Sequence, residues 1–471
     1  MVYRGAIMKN KIGIIVVFVL LSATFMYSNE KKELEININD AVDIAITNNI
    51  EFKSKQIDQK SNEWKLYSVW NTFLPSISLS GNLIKSNLSE EDRTTKSQIV
   101  IPTGPGQVIV QGFEYTRPEW SAGLGFNLSW TFNAAMIFGA YQTGLDYQKG
   151  ILGIEEAKKK LAKNVKQTYY GLMIQEKELE IKRVELKSKE ERYKQAQTNF
   201  KNGLIPRLLL LRSQVAYETT LPSYTEKENN YANNLAMFKF LLGLESDTAL
   251  IFKDPFEAVE KIIPEREKLI NLFDKNNITL RNLYIAKGMV NNGMNSYISS
   301  LTPSFQLSYT NNPAFMKDPM KDDWFSDVEN DWKDQGGSLR LSMILPISDW
   351  IPFSKNQVGI IGSDYANKKM NQDIKAFQAV SYIQIDSSLG KLEKAIKNIN
   401  SVELSVQVAE EAYKLARDEF KLGTKELLDV QDTESDVMNF KLMKLYAEYE
   451  YINNLIELEY LVNTSMIDIL K

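Results

Sequence analysis

The side chains that carry most protein chemistry near neutral pH are missing from this chain. Its 471 residues include no histidine and no cysteine. That removes disulfides, thiolate nucleophiles, Cys/His zinc sites and Ser-His-Asp relays, along with the usual proton shuttle. Carboxylates, lysines, tyrosines and hydroxyls remain, and no two carboxylates stand out as an acid–base pair. The stretch 311–337 is rich in Asp and Trp, including Asp318, Asp322, Asp323, Trp324, Asp327 and Trp332. Oxygen ligands at that density invite calcium, but their spacing fits no calcium loop, so a solvated loop is expected. Asp429 and Asp432 fall near the start of a helical stretch, where acids suit the helix dipole. No glycine-rich loop ends in Gly-Lys-Ser/Thr, so nucleotide binding is not expected, and no cofactor or metal is implied. The 56 basic and 60 acidic residues leave a net charge of −4 with no basic block, a poor basis for nucleic-acid binding. An apolar content of 44% argues against a disordered chain.

The elements that must position these groups begin after an export signal. Arg4, Lys9 and Lys11 precede the apolar run 12–21, and small or polar residues follow to Asn29. Residues 1–28 therefore read as a secretory signal peptide, since the run is too short for a comfortable spanning helix of about 20 residues. Beyond it the chain is written twice. Asn48-Asn49-Ile50 recurs as Asn276-Asn277-Ile278, and Leu74-Pro75-Ser76 as Thr302-Pro303-Ser304, both at an offset of 228. Phe200-Lys201-Asn202-Gly203 recurs as Phe420-Lys421-Leu422-Gly423 at an offset of 220. Two repeats are expected, 36–250 and 264–466, joined by a linker at 251–263.

Each repeat opens with a helical stretch, 40–73 or 265–301, which a proline closes because it disfavours helix in the residue before it. Strands follow at about 76–84 and 120–132, and again at about 304–310 and 338–345. Trp120, Ala122, Leu124, Phe126, Leu128, Trp130 and Phe132 alternate with small or polar residues throughout. Leu339, Leu341 and Met343 alternate with Ser338, Arg340 and Ser342. One apolar face with aromatic ends suits a transmembrane barrel. A soluble half-buried sheet gives the same alternation, and the pattern alone does not separate the two. Residues 99–101 and 108–110 flank a Pro/Gly turn and suggest a small hairpin.

Long helices come next. Val165, Leu172, Leu179, Leu186, Tyr193 and Phe200 are spaced by seven, and Ile385, Leu392, Ile399, Val406, Tyr413 and Phe420 repeat the line. Such heptads imply a left-handed supercoil. The spacing predicts helices over 145–199 and 362–419, tips at Gly203 and Gly423, and return helices over 207–242 and 426–461, the first kinked at Pro222. Four strands cannot close a membrane barrel, which takes about eight, and open edges cannot face lipid. If these strands span a membrane, the chain must oligomerise.

In the order and duplication of these segments the chain resembles the TolC-type outer membrane efflux protein family. The residues that carry the likeness are Asn48-Asn49, Phe73-Leu74-Pro75-Ser76 with its copy at Pro303-Ser304, Trp130 at the strand-to-helix exit, and the two tip segments 200–205 and 420–430. The resemblance covers nearly all of the chain after the signal. It implies a mainly α fold with a small transmembrane β part, each repeat running helix-strand-strand-long helix-helix. Three chains would build a 12-stranded barrel in the outer membrane and a long helical barrel in the periplasm. The implied role is a passive exit duct for efflux or type I secretion, working with a periplasmic adaptor and an inner-membrane pump. Trp120, Leu124, Phe126, Leu128 and Trp130 would then face lipid.

The resemblance also places a gate at Asp429 and Asp432, just past the second tip. Threefold rings of carboxylates at a narrow neck repel one another, attract cations and are held shut by nearby partners. The repeat sets Leu209 opposite Asp429, where the family has a polar partner, so Arg212 or Lys425 is expected to substitute. Adaptor contact falls by the same resemblance to Gly203, Leu204 and Ile205 and to Gly423, Thr424 and Lys425. Without histidine, a pH response between about 5 and 8 would come from shifted carboxylates such as Asp429 and Asp432. A periplasmic coiled-coil scaffold or adaptor is the rival reading. It would share the signal and the helices but has no need of paired alternating strands. An exported enzyme is disfavoured by the lack of histidine and of a carboxylate pair.

Overall fold

A computed structural model describes residues 33–105, 107–253, 261–315, 317–422, 424–465 and Ile469. The signal assigned to 1–28, most of the linker and Gly423 lie outside the described residues. The elements run β1 (Glu33–Ile36), α1 (Ile38–Asn48), α2 (Ile50–Tyr67), β2 (Ser76–Lys85), β3 (Thr94–Gly104), β4 (Gln107–Thr116), β5 (Trp120–Phe132), α3 (Ala135–Lys201), α4 (Arg207–Leu242) and β6 (Ala249–Phe252). They continue α5 (Arg266–Asn276), α6 (Ile278–Ser299), β7 (Ser304–Asn311), β8 (Ala314–Phe315), β9 (Trp332–Lys333), β10 (Ser338–Ile344), α7 (Lys355–Lys421) and α8 (Leu427–Val462). The structure is 68% helical, and the order helix, strands, long helix, helix occurs twice.

Two compact units emerge, and neither is one repeat. One comprises the described residues up to Gln56, those within Ile154–Asn277 and those from Val380 onward. The other comprises Ile57–Gly153 and Ile278–Ala379. Each draws on both repeats, because equivalent elements of the two repeats fall into the same unit.

In the first unit, β1 pairs in parallel with β6, from Glu33 opposite Ala249 to Ile36 opposite Phe252. Ile36, Ala41, Ala45, Val165, Tyr169, Phe238 and Leu242 form its buried core. The Tyr169 hydroxyl donates to the Ile36 carbonyl at 3.1 Å, which satisfies a phenol that is otherwise enclosed. The duplicated asparagines break each opening helix in the same way. The Asn49 amide donates to the Leu241 carbonyl at 2.9 Å, and the Asn277 amide to the Leu461 carbonyl at 2.8 Å. The helices receiving those bonds end alike. Gly243 and Asn463, 220 apart, cap α4 and α8 in left-handed backbone at φ +68° and +52°. A Cβ on Gly243 would stand 2.6 Å from the Asn48 carbonyl oxygen, so only glycine fits there.

Helices α3 and α7 each run 67 residues, longer than the spacing predicts. They begin before the expected 145 and 362, because Gly139 and Gly144 are accommodated within α3, and Gly359 within α7, rather than breaking them. The helix α4 is continuous through Pro222. Along the heptad line Val165, Leu172, Ile385, Leu392 and Ile399 are fully buried. Toward the tips the same line surfaces, and Phe200 and Phe420 are 40% and 41% exposed.

In the second unit, β2, β5, β7 and β10 form an antiparallel sheet in that order, and the two-residue strands β8 and β9 extend it from β5 at Ala122 and Gly123. Each repeat locks its strand-to-helix exit with an indole. Trp130 Nε1 donates to the Phe73 carbonyl at 2.9 Å, and Trp350 Nε1 to the Leu301 carbonyl at 3.1 Å. Both acceptors lie two residues before the proline that ends the opening helix. Strands β3 and β4 form a separate hairpin of 11 and 10 residues, far longer than the small one expected.

Candidate functional site

The register of the four-stranded sheet sorts its side chains onto two faces. Leu79 stands opposite Phe126 and Ile77 opposite Leu128. Leu128 stands opposite Tyr309 and Trp130 opposite Leu307. Leu341 completes the row beside Leu307, and Leu339 the row beside Tyr309. Directly opposed residues share a face, so one face is apolar across all four strands. The other carries Ser80, Gly125, Asn127, Ser129, Ser308 and their neighbours. The apolar face is uncovered: Leu79, Leu341 and Leu339 are 78%, 75% and 71% exposed. Leu124 and Phe126 are also exposed, while Trp120, Leu128 and Trp130 are half-buried. A soluble sheet buries such a face against a second layer; among the described residues only Ala122, at one end, is covered, by Phe315 and Trp332. The outer edges of β2 and β10 pair with no other strand among the described residues.

The acidic, Trp-rich loop between β7 and β10 is not simply solvated. Phe315 stacks on Trp324 at 5.9 Å and tilts against Trp332 at 5.5 Å, over Ala122 of β5. The indoles donate to backbone, Trp324 to Pro319 and Trp332 to Trp324. Buried Asp331 pairs with Lys317 at 2.8 Å. No group of three or more acids among the described residues is arranged to hold a metal ion.

The tips belong to the other unit. α3 ends in a Schellman-type reversal, with Leu204 N donating to the Asn199 carbonyl at 2.8 Å and Gly203 at φ +73°. Leu204 is 70% exposed and Ile205 half-buried. At the second tip Thr424 donates to the Glu419 carbonyl through both its amide, at 3.0 Å, and its hydroxyl, at 2.9 Å. Lys425 pairs with Glu419 at 3.1 Å rather than with an aspartate. Asp429 occupies the first turn of α8 and is exposed, as are Asp432 and, on α4, Arg212. Among the described residues none of these three side chains has a partner.

Several polar bridges in this unit carry no sequence signal. The Arg192 guanidinium pairs closely with Glu434, tying α3 to α8. Glu178, almost fully buried, accepts from the Tyr446 hydroxyl at 2.7 Å and pairs with Lys227 at 2.9 Å. Burial, reinforced by Glu178, pushes the Tyr446 phenol up to about 12. Lys163 and Lys166 pair with Glu457 and Glu459, each at 2.7 Å. The partners lie 242 or more residues apart in four of these bridges, beyond the reach of any local spacing rule.

No protein-family model matches the chain, and no curated protein is similar to it. Solved structures are similar. The Campylobacter jejuni CmeC outer membrane channel aligns at TM-score 0.68 with 14% identity, over 90% of this chain and 85% of that one. The Vibrio cholerae outer membrane protein VceC aligns at TM-score 0.66 with 10% identity, over 91% and 96%. The fold is that of the TolC-type outer membrane channels. The open-state Neisseria gonorrhoeae MtrE outer membrane channel adds a TM-score of 0.63 at 14% identity, over 91% and 89%. At such identities the likeness is one of fold, and it extends over nearly the whole length of each channel. CmeC and MtrE are described as channels rather than enzymes.

Proposed function

We propose that the chain is an outer-membrane exit duct for efflux or type I secretion. Three copies join edge to edge, β10 of one chain against β2 of the next, into a 12-stranded barrel. The observation that carries this reading is the sheet. It has an uncovered apolar face, a polar reverse face and two unsatisfied edges, and only closure in lipid removes all three costs. The fold supports it over nearly the full chain. In this arrangement Trp120, Leu124, Phe126, Leu128 and Trp130 meet lipid, and the helical part stands in the periplasm. Residues 1–28 act as the export signal, and repeats 36–250 and 264–466 meet at 251–263.

The tips supply regulation. Asp429 and Asp432, exposed and unpartnered among the described residues, form rings of carboxylate at the periplasmic entrance, with Arg212 as their intersubunit counter-charge. Lys425 holds the second reversal through Glu419 instead. Gly203, Leu204 and Ile205 at the first tip, with Gly423 and Thr424 at the second, dock a periplasmic adaptor (a membrane fusion protein) that couples the duct to an inner-membrane transporter. The duct itself is passive.

Fractionation and cross-linking test the reading. The duct resists a carbonate wash, is extracted by detergent and cross-links to a trimer. A protein that washes off without detergent favours the periplasmic scaffold or adaptor instead. For the gate, Asp429→Ala/Asp432→Ala protein in planar bilayers is expected to conduct more and lose its block by divalent cations. Unchanged current and block would remove the gate assignment.

A further inference from the structure

The polar face of the sheet holds a feature that the duct reading leaves unused. Across β2, β5, β7 and β10 this face is built of serine, threonine, asparagine, glutamine and glycine, with isoleucine at 84 and 344. Among the described residues of these four strands a single charged side chain stands on it, Arg340, third in β10; a second cation, Lys333 of β9, continues the same face through Ala314 and Gly123. Its directly opposed neighbour is Ser308, which is opposed in turn by Ser129, and Ser129 by Ser76. Arg340 is exposed, and no carboxylate among the described residues pairs with it.

We propose that Arg340 gives the sheet-lined part of the pore a preference for anions, so that the duct favours cargo bearing carboxylate or phosphate groups there. This rests on the duct reading, because the polar face becomes a pore lining only when the sheet closes. Arg340 lies on an edge strand, so its missing neighbour would be β2 of the next copy. The polar positions of β2 are Ser76, Ser78, Ser80, Asn82 and Ile84. Whatever register the two strands adopt, no acid of that strand can neutralise the guanidinium. Rotational symmetry then places three uncompensated guanidiniums at one depth, in a wall with few other fixed charges. Rings of like charge concentrate the counter-ion and repel the co-ion. Arginine also stays charged throughout the physiological range and matches carboxylate and phosphate oxygens with its fork of donors.

Reversal potentials across planar bilayers holding the purified full-length protein test this. They are measured in a KCl gradient near 0.1 M, where screening extends about 10 Å. Wild type is compared with Arg340→Gln, Arg340→Glu and Arg340→Lys, each also in the Asp429→Ala/Asp432→Ala background so that the tip does not mask the barrel. The chloride-to-potassium permeability ratio is expected to fall about twofold or more in Arg340→Gln and further in Arg340→Glu. It should hold in Arg340→Lys, and the differences should collapse at about 1 M salt, where screening shortens to about 3 Å. Conducting channels whose ratio is unmoved by Arg340→Glu overturn the proposal, and so does an equal shift in Arg340→Lys. No conductance from wild type and from Asp429→Ala/Asp432→Ala protein alike overturns the duct reading itself, a separate outcome.

Discussion

Asn49 and Asn277 do the same work at the same point of two repeats, each tying a helix break to the carbonyl end of a returning helix. Each amide is largely buried, so removing it strands a carbonyl without its donor. Asn49→Ala and Asn277→Ala are each expected to cost about 1–3 kcal/mol in denaturant unfolding, and by similar amounts. A large inequality would show that the two breaks are not equivalent supports. Glu448 makes a different prediction. Burial raises its pKa, partly offset by Lys444 and Lys261. A carboxyl with a raised folded pKa binds its proton more tightly in the folded state. Stability is therefore lost as pH climbs from the unfolded value, about 4.3, through the folded one. Glu448→Gln should raise the melting temperature near pH 7, and the gain should vanish below about pH 4. A constant gain at all pH values would point to packing instead. The paired asparagines were legible as repeated letters. The burial of Glu448 was not, because it depends on which helices pack beside it.

At the scale of elements, the sheet and the tips behave differently. Gly203 has φ +73° and open space where a Cβ would go, so Gly203→Ala carries only the backbone penalty. Roughly 1 kcal/mol of unfolding free energy is expected, with assembly unchanged. Bulky replacements at Leu204 and Thr424 should instead abolish export while trimers persist; loss of folding would mean the turns are purely structural. On β10, Leu341→Arg sets a charge on the apolar face. It is expected to cost about 2–4 kcal/mol if that face meets lipid, read as loss of membrane insertion, and very little if the face meets water. The four sheet strands were readable because their alternation is long, thirteen residues in β5. Strands β1 and β6 escaped notice because four residues carry too little periodicity, and their pairing joins segments more than 200 residues apart. The aromatic core of Phe315, Trp324 and Trp332 was hidden by the acids around it. Composition reports polarity, whereas packing depends on where three rings converge.

For the whole molecule, the features that remain unsatisfied within one chain all point outward. Among the described residues they are the sheet edges, the apolar face, the heptad line that surfaces toward Phe200 and Phe420, and the unpaired charges of Arg212, Asp429 and Asp432. Repetition was visible in the sequence, but the division into compact units was not, since each unit gathers equivalent parts of both repeats. The chain's lack of cysteine allows a direct test of how many copies close the sheet. Pairs of cysteines, one on the polar face of β2 and one on that of β10, are introduced at successive registers and oxidised in intact membranes. One register is predicted to give covalent dimers and trimers, with the ladder ending at three. Failure of every register, or a ladder running past three, would contradict a closed barrel of three chains.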